Sequence, residues 1–177
     1  NIRPDLKALM ERRSALQQAY QVDMARGEAA LAAGELNIAQ EAFEQCRKLV
    51  PGAPLLLERL NEFSRQKELC QQYISVARER LATASYEAAQ QALEQAWKLD
   101  RSNLALVPLK EQLDEVIEKE RRTQELVLNA RAHEAEGQLD LAAEELRLAL
   151  ALSLPRQDIR ETLAALEERI QRKNRDD

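Results

Sequence analysis

Three segments of this 177-residue chain repeat one pattern of small and large side chains. They are GELNIAQEAFEQCRKLVP from Gly34, ASYEAAQQALEQAWKLDR from Ala84 and GQLDLAAEELRLALALSLP from Gly137, at offsets of 50 and 53 residues. In each segment apolar residues recur at three- and four-residue spacing, which places them on one face of a helix. The stripes are Leu36, Ala39, Phe43, Cys46 and Leu49; Tyr86, Ala89, Leu93, Ala96 and Leu99; and Leu139, Ala142, Leu146, Ala149 and Leu152.

A further small residue precedes each segment by seven positions: Gly27, Ala77 and Ala130. A small residue where two helices cross lets their axes approach to about 8 Å. Because glycine inside a helix costs roughly 1 kcal/mol relative to alanine, Gly27 indicates a close contact. The pattern therefore predicts three antiparallel helix hairpins. The residues expected to face the three small ones are Ala39, Ala89 and Ala142.

The composition predicts an all-α chain. Only four glycines and five prolines interrupt a sequence that is 45% hydrophobic, 32% charged and 3% aromatic, and its commonest residues favour helix. The net charge of −5 is spread along the chain as pairs of mixed sign, so nucleic acid is not expected as a partner. No run approaches the ~18 apolar residues of a spanning helix, and membrane insertion is not expected either.

The stretches between the repeats are also strong helix formers, so we predict that each hairpin begins with an elongated helix. Pro4, Pro54 and Pro155 follow the longer period, and proline suits a first helical turn. Pro108 is expected either to kink the third long helix or to mark its start, and the final NRDD to fray. The predicted long helices are 4–33, 54–83 and 104–136, the short ones are 35–50, 85–100 and 138–153, and a capping helix covers 155–173.

This arrangement of a small residue, a turn, and then small, bulky and small residues on a second helix resembles the tetratricopeptide repeat. The matching units are 20–53, 70–103 and 123–156, with helical extensions 4–19, 54–69 and 104–122. The chain departs from the family in those extensions and at the early aromatic position, which holds Asp23, Tyr73 and Leu126. The resemblance implies a single domain over residues 1–177 in which hairpins stack as a short α-solenoid.

In that family the first helices line a concave groove that holds an extended peptide or a partner helix. The corresponding positions are Met24, Glu28, Leu31, Ile74, Arg78, Leu81, Val127, Arg131 and Glu134. Met24 and Glu28 replace the lysine and asparagine with which chaperone-binding members clamp an acidic carboxy terminus, so we do not expect that ligand. An amphipathic or acidic and apolar segment suits Arg78 and Arg131 better, because guanidinium groups pair with carboxylates.

The extensions carry apolar residues with two possible uses. They can pack side by side within the chain, or form a face for another chain. These residues are Leu6, Leu9, Leu16, Leu56, Leu60, Phe63, Leu109, Leu113, Val116 and Ile117.

The sequence contains no convincing catalytic constellation, and we predict neither enzymatic activity nor a cofactor. The one histidine, His133, has only Glu134 and Glu136 nearby, too few ligands for a metal site. Trp97 could anchor a partner, but packing against the next long helix is the favoured interpretation.

Cys46 and Cys70 are interpreted as packing residues. On neighbouring helices they would lie about 18 Å apart along the axis, too far for a disulfide. Unbridged cysteines favour a reducing compartment, and we therefore predict a cytoplasmic location.

The favoured interpretation is a non-enzymatic scaffold that binds another protein through the groove or the extended helix tips. Two alternatives remain open: a structural module whose long helices mediate self-association or space two flanking domains, and a regulatory domain attached to an enzyme such as a kinase. The chain lacks an initiator Met, which suggests a module of a larger protein. The ratio of nineteen arginines to seven lysines hints at a bacterial origin.

Overall fold

The computed structural model describes residues 4–152 and 156–176, and all regular secondary structure within them is α-helical. This confirms the all-α prediction. The helices are α1 (Pro4–Ala33), α2 (Leu36–Leu49), α3 (Pro54–Ala82), α4 (Tyr86–Leu99), α5 (Leu106–Ala135), α6 (Leu139–Leu152) and α7 (Gln157–Asp176).

Long and short helices alternate as predicted, and their ends lie within three residues of the expected ones. Pro108 occupies the first turn of α5, where a helix needs no backbone donor, so it marks a helix start rather than a kink. The last helix ends at Asp176 instead of Lys173. The predicted helix boundaries at Ser153 and Pro155 lie outside the described residues.

The three hairpin turns share one backbone geometry. Gly34, Ala84 and Gly137 adopt positive φ angles of 72°, 54° and 78°. In each turn the next residue donates its backbone N–H to the carbonyl five positions earlier, at 2.8 Å, as in a Schellman helix end. The donor and acceptor pairs are Glu35 and Ala30, Ser85 and Arg80, and Gln138 and His133.

The chain divides into two compact units, unit 1 (Asn1–Glu111) and unit 2 (Gln112–Asp177). In unit 1, α1 pairs with α2, α3 pairs with α4, and α3 also packs against both helices of the first hairpin. The Arg101 N–H donates to the Gly34 carbonyl at 2.7 Å, which ties the second hairpin to the turn of the first. The prediction of one stacked array over residues 1–177 stays a prediction.

The first hairpin is held by a close approach between Gly27 and Phe43. A Cβ at position 27 would lie 2.5 Å from Phe43 Cε1 and 2.7 Å from Cδ1, so any larger residue there would force the ring to move. The fully buried Phe43 ring also meets Phe63 of α3 edge to face, with ring centroids 6.5 Å apart. Gly27 therefore permits a contact that joins all three helices.

The other two hairpins carry alanine where the first has glycine, and leucine where it has phenylalanine. Ala77 and Leu93, and Ala130 and Leu146, are buried at these equivalent positions. The six small residues expected at the crossings are all buried, as predicted. However, the side chain that fixes Gly27 is Phe43 rather than Ala39.

Unit 2 comprises the remainder of α5 together with α6 and α7. Its core joins these helices through Ala130, Ala142, Leu146, Ala149, Ile159 and Leu166. Arg156, just before α7, donates to Glu120 at 2.9 Å and to Asp158 at 3.0 and 3.1 Å. The hydrogen bond from Arg156 lowers the pKa of the Asp158 carboxyl.

We predict that Gly27→Ala lowers the free energy of unfolding by about 1 kcal/mol, because overpacking at Phe43 (roughly 1–3 kcal/mol) outweighs the gain in helix propensity (about 1 kcal/mol). Adding Phe43→Leu reproduces the Ala and Leu pair of the other hairpins and should relieve the strain. Urea denaturation of the two single variants and the double variant measures this. Strictly additive effects would contradict the proposed contact.

We predict that Ala84→Gly raises the free energy of unfolding by about 1 kcal/mol, since a residue with a Cβ is strained at positive φ. The matched reverse change, Gly137→Ala, meets no neighbouring atom within 4 Å and should be destabilising by a similar amount through backbone strain alone. Thermal denaturation of both variants tests this. The prediction fails if both substitutions shift the melting temperature in the same direction.

Candidate functional site

Three of the residues predicted to line a groove are buried core residues instead. Met24, Leu31 and Ile74 are almost completely buried, and the first two share a hydrophobic cluster with Leu56 and Phe63 of α3. Met24 and Leu31 are buried because both α2 and α3 pack against α1, and Ile74 lies in α3, which pairs with α4. These three side chains expose 5% of their surface or less, too little to anchor a ligand.

Glu28 lies at the surface between α1 and α3, where it is already paired. Its Oε1 accepts a hydrogen bond from Arg59 Nε at 2.7 Å, and Arg59 Nη1 donates to Glu62 at 2.9 Å. The bond to Glu28 is the main reason why the pKa of Arg59 is raised, and the bond to Glu62 adds to it. Together with Leu31 and Gln66, these side chains line a depression of about 300 Å³. A ligand would have to compete with this ion-pair network.

The predicted residues of unit 2 lie together beside α7, with Arg131 exposed and Val127 and Glu134 half-buried. Val127, Arg131 and Glu134 line a cavity of about 100 Å³, which is closed on one side by Ile159 and Leu166 of α7. Glu134 forms an ion pair with Arg169. The cavity has room for a few water molecules and is too small for a peptide.

Arg78 and Leu81 lie near the end of α3, exposed and half-buried respectively. Among the described residues, no carboxylate lies within ion-pair distance of Arg78 or Arg131. Arg78 belongs to unit 1 and Arg131 to unit 2. The predicted groove residues therefore fall into three kinds: exposed arginines, glutamates that are already ion-paired, and apolar residues that are wholly or partly buried.

The largest exposed apolar feature of α1 lies in its first half. We call residues 5–19 the α1 tip; every one of them is exposed. Four large apolar side chains recur on one side of this segment at helical spacing: Leu6, Leu9, Met10 and Leu16, with exposed fractions of 52%, 63%, 59% and 47%. The same side of α1 continues into Met24 and Gly27, which are buried in the first hairpin.

Helix lengths explain why the tip is uncovered. At about 1.5 Å per residue, the 14 residues of α2 extend for roughly 21 Å along α1. The 30 residues of α1 extend for roughly 45 Å. The short helix therefore covers only the second half of the long one, and the apolar stripe runs on beyond it.

The extension of α3, unlike the α1 tip, is covered by other helices. Leu56 and Phe63 are buried against the first hairpin, and Leu60 packs against the same cluster. In α5, Leu109 and Leu113 are buried, whereas Ile117 is exposed. Of the two uses open to these apolar residues, α3 shows packing within the chain, and the α1 tip retains a free face.

The cysteines are packing residues, as predicted. Both thiols are free and buried. Burial raises the pKa of Cys46 and of Cys70, and nearby Asp23 and Asp100 respectively raise them further.

His133 faces a single polar partner, with Nδ1 placed 2.8 Å from Gln138 Oε1. Within residues 4–152 and 156–176, no group of three or more His, Cys, Asp or Glu side chains could hold a metal ion.

Trp97 differs from the predicted packing residue, because 45% of its surface is exposed. It follows Ala96 by one residue, about 100° around the helix. This angle places the indole at the edge of the buried stripe.

Several residues at these surfaces were not predicted from the sequence as site residues. Arg59 and Gln66 border the depression on unit 1, and Gln66 Nε2 donates to the carbonyls of Leu31 and Leu99. Met10 and Arg13 belong to the α1 tip. Aligning the extensions with one another, rather than only the repeats, could have identified the last two.

No protein-family model, curated protein or solved structure matches this chain. None of the described helices combines the length and the apolar character that crossing a membrane requires.

We predict that Cys46 and Cys70 of the folded chain react with a disulfide reagent at least on the order of a hundredfold more slowly than in denaturant. Attack requires local opening, and the raised pKa values leave less thiolate at a given pH. Absorbance assays with Ellman's reagent at pH 8 measure both rates. Equal rates in the folded and denatured chains would contradict the buried positions.

Proposed function

We propose that this chain is a non-enzymatic scaffold, a tetratricopeptide-like module of a larger bacterial protein, that binds a partner protein through the α1 tip. One observation carries the proposal. Leu6, Leu9, Met10 and Leu16 form an exposed apolar stripe on a helix whose second half is fixed in a packed core. Contiguous apolar surface of this kind is typical of protein interaction sites.

The anchoring of α1 matters for affinity. Residues such as Met24, Ala30 and Leu31 hold the second half of the helix in the core of the first hairpin, and the tip continues the same helix. A partner then meets a surface that is already ordered, so less conformational entropy is lost on binding. An amphipathic helix is the natural ligand, because it can lay its own apolar stripe along this face.

The tip is favoured over the predicted groove for a chemical reason. Three of the four apolar groove positions in unit 1, Met24, Leu31 and Ile74, are buried in the core, and Glu28 is paired with Arg59. The equivalent positions in unit 2 border a small cavity beneath α7. Arg78 and Arg131 are the charged groups among the predicted groove residues that have no ion-pair partner among the described residues. Substitutions at these two positions therefore test the groove separately from the α1 tip.

We predict that amphipathic helical peptides selected on the full chain from a display library lose binding to the Leu9→Glu and Leu16→Glu double variant. Two carboxylates placed in the apolar stripe cannot be desolvated without partners, so the expected loss is at least tenfold or so. Both side chains are exposed, and the variant should keep its helicity and melting temperature. Fluorescence polarisation measures the affinities.

The matched control is the Arg78→Glu and Arg131→Glu double variant, which alters the groove positions and leaves the tip intact. It should bind the selected peptides with unchanged affinity. Loss of binding by this variant, with retention by the tip variant, would place the interface in the groove and contradict the proposal. Failure to select any peptide would also count against it.

A further inference from the structure

The first halves of α1, α3 and α7 contain equivalent positions seven residues apart. In α3 these are Leu56 and Phe63, buried in the core cluster of unit 1. In α7 they are Ile159 and Leu166, buried in the core cluster of unit 2. Each pair packs against the helices that precede it in the chain. A segment of this kind is therefore suited to lie along the side of other helices.

The equivalent positions in the α1 tip are Leu6 and Arg13, offset by 50 residues from Leu56 and Phe63. Leu6 retains the apolar character, but a guanidinium stands where α3 has a phenylalanine and α7 a leucine. The α1 tip thus departs from its own internal pattern at one central position.

Arg13 lies within the apolar stripe rather than beside it. It follows Leu9 by four residues, follows Met10 by three and precedes Leu16 by three, spacings that make side chains neighbours on a helix. A partner that covers the leucines must also cover this guanidinium. Burying it without a carboxylate would be costly.

The tip cannot neutralise this charge itself. Glu11 lies on the far side of the helix, about 160° from Arg13, and is 3.9 Å from Lys7. No carboxylate among the described residues lies within ion-pair distance of Arg12 or Arg13. The apolar stripe therefore carries an unpaired positive charge at its centre, with a second one adjacent.

We infer that the partner of the α1 tip is an amphipathic helix that places an Asp or Glu carboxylate in the middle of its apolar stripe, opposite Arg13. This inference rests on the proposed function and specifies its ligand. The apolar residues provide affinity, and the buried charge pair selects the partner, because a helix with leucine or lysine at that point leaves the guanidinium unpaired.

A second copy of the chain does not meet this requirement in the two alignments that place the apolar stripes fully over one another. Two tips aligned in parallel place Arg13 against Arg13. Two antiparallel tips centred on the stripe place each Arg13 over Leu9 of the other copy. Both arrangements bury guanidinium groups without carboxylates, which opposes self-association through this face.

Two labelled peptides test the inference on the full chain. Both are amphipathic helices with the same leucine stripe, one with Glu and the other with Lys at the central stripe position. Polarisation titrations should show that the wild-type chain binds the Glu peptide roughly tenfold or more tightly than the Lys peptide. The preference should shrink as salt is added.

Substitutions at the tip sharpen the test. Arg13→Glu should reverse the preference in favour of the Lys peptide, and Arg13→Gln should abolish it. Arg80→Glu, a charge reversal at another exposed position, on α3, should leave the wild-type preference intact. Circular dichroism confirms that the variants remain folded, as expected for an exposed position.

Three results would overturn the inference. Equal binding of the two peptides, still sensitive to Leu9→Glu with Leu16→Glu, would show an apolar tip interface without charge selection, so the proposed function would stand alone. If the chain binds neither peptide, the proposed partner chemistry is contradicted. The proposed function is then decided separately, by the display selection. A concentration-dependent rise in sedimentation mass that Leu9→Glu removes would make a second copy the occupant.

Discussion

The contact between Gly27 and Phe43 determines how the first hairpin is built. The ring occupies space that any larger residue at position 27 would fill, so the helix accepts the cost of an interior glycine in exchange for a short distance to α2. Because the same ring packs against Phe63, the contact also fixes α3 against the hairpin. The second half of α1 is thereby held between two helices.

The function proposed for the chain follows from the half of α1 that this contact does not reach. A short second helix leaves the first half of the long helix without cover, although its apolar stripe continues. In α3 an equivalent stripe is satisfied by the preceding hairpin. The α1 tip exposes a similar apolar stripe and carries Arg13 in addition, so the proposed partner requires a different chemistry from that of the internal packing.

Much of the fold could be predicted from the sequence because its signals are local. Prolines and positive-φ residues define where helices begin and end, and the small residues Gly27, Ala77 and Ala130 identify the crossings. The turn at Ala84 shows that position in the repeat can impose a left-handed conformation even on alanine. These features depend on residues close together in the chain.

The candidate site was harder to predict because it depends on which sides of a helix are covered by more than one neighbour. Met24 and Leu31 lie within about 60° of Gly27 around α1, and a single hairpin would leave them near its edge. Packing of α3 against the hairpin buries both side chains and places Arg59 within hydrogen-bond distance of Glu28. The predicted packing of Trp97 differs from the structure for the opposite reason. An aromatic residue at the edge of an apolar stripe is buried only if a neighbouring helix extends over it, and Trp97 remains 45% exposed.

Hydrogen exchange of the full chain, followed by mass spectrometry, tests most directly whether the close contact fixes one half of α1 and leaves the other free. Amides in residues 20–33 should exchange slowly with those of α2, whereas amides in the α1 tip should exchange much faster, at a rate independent of protein concentration. Tip amides as slow as those of residues 20–33, or tip amides that become slow as concentration rises, would contradict this account.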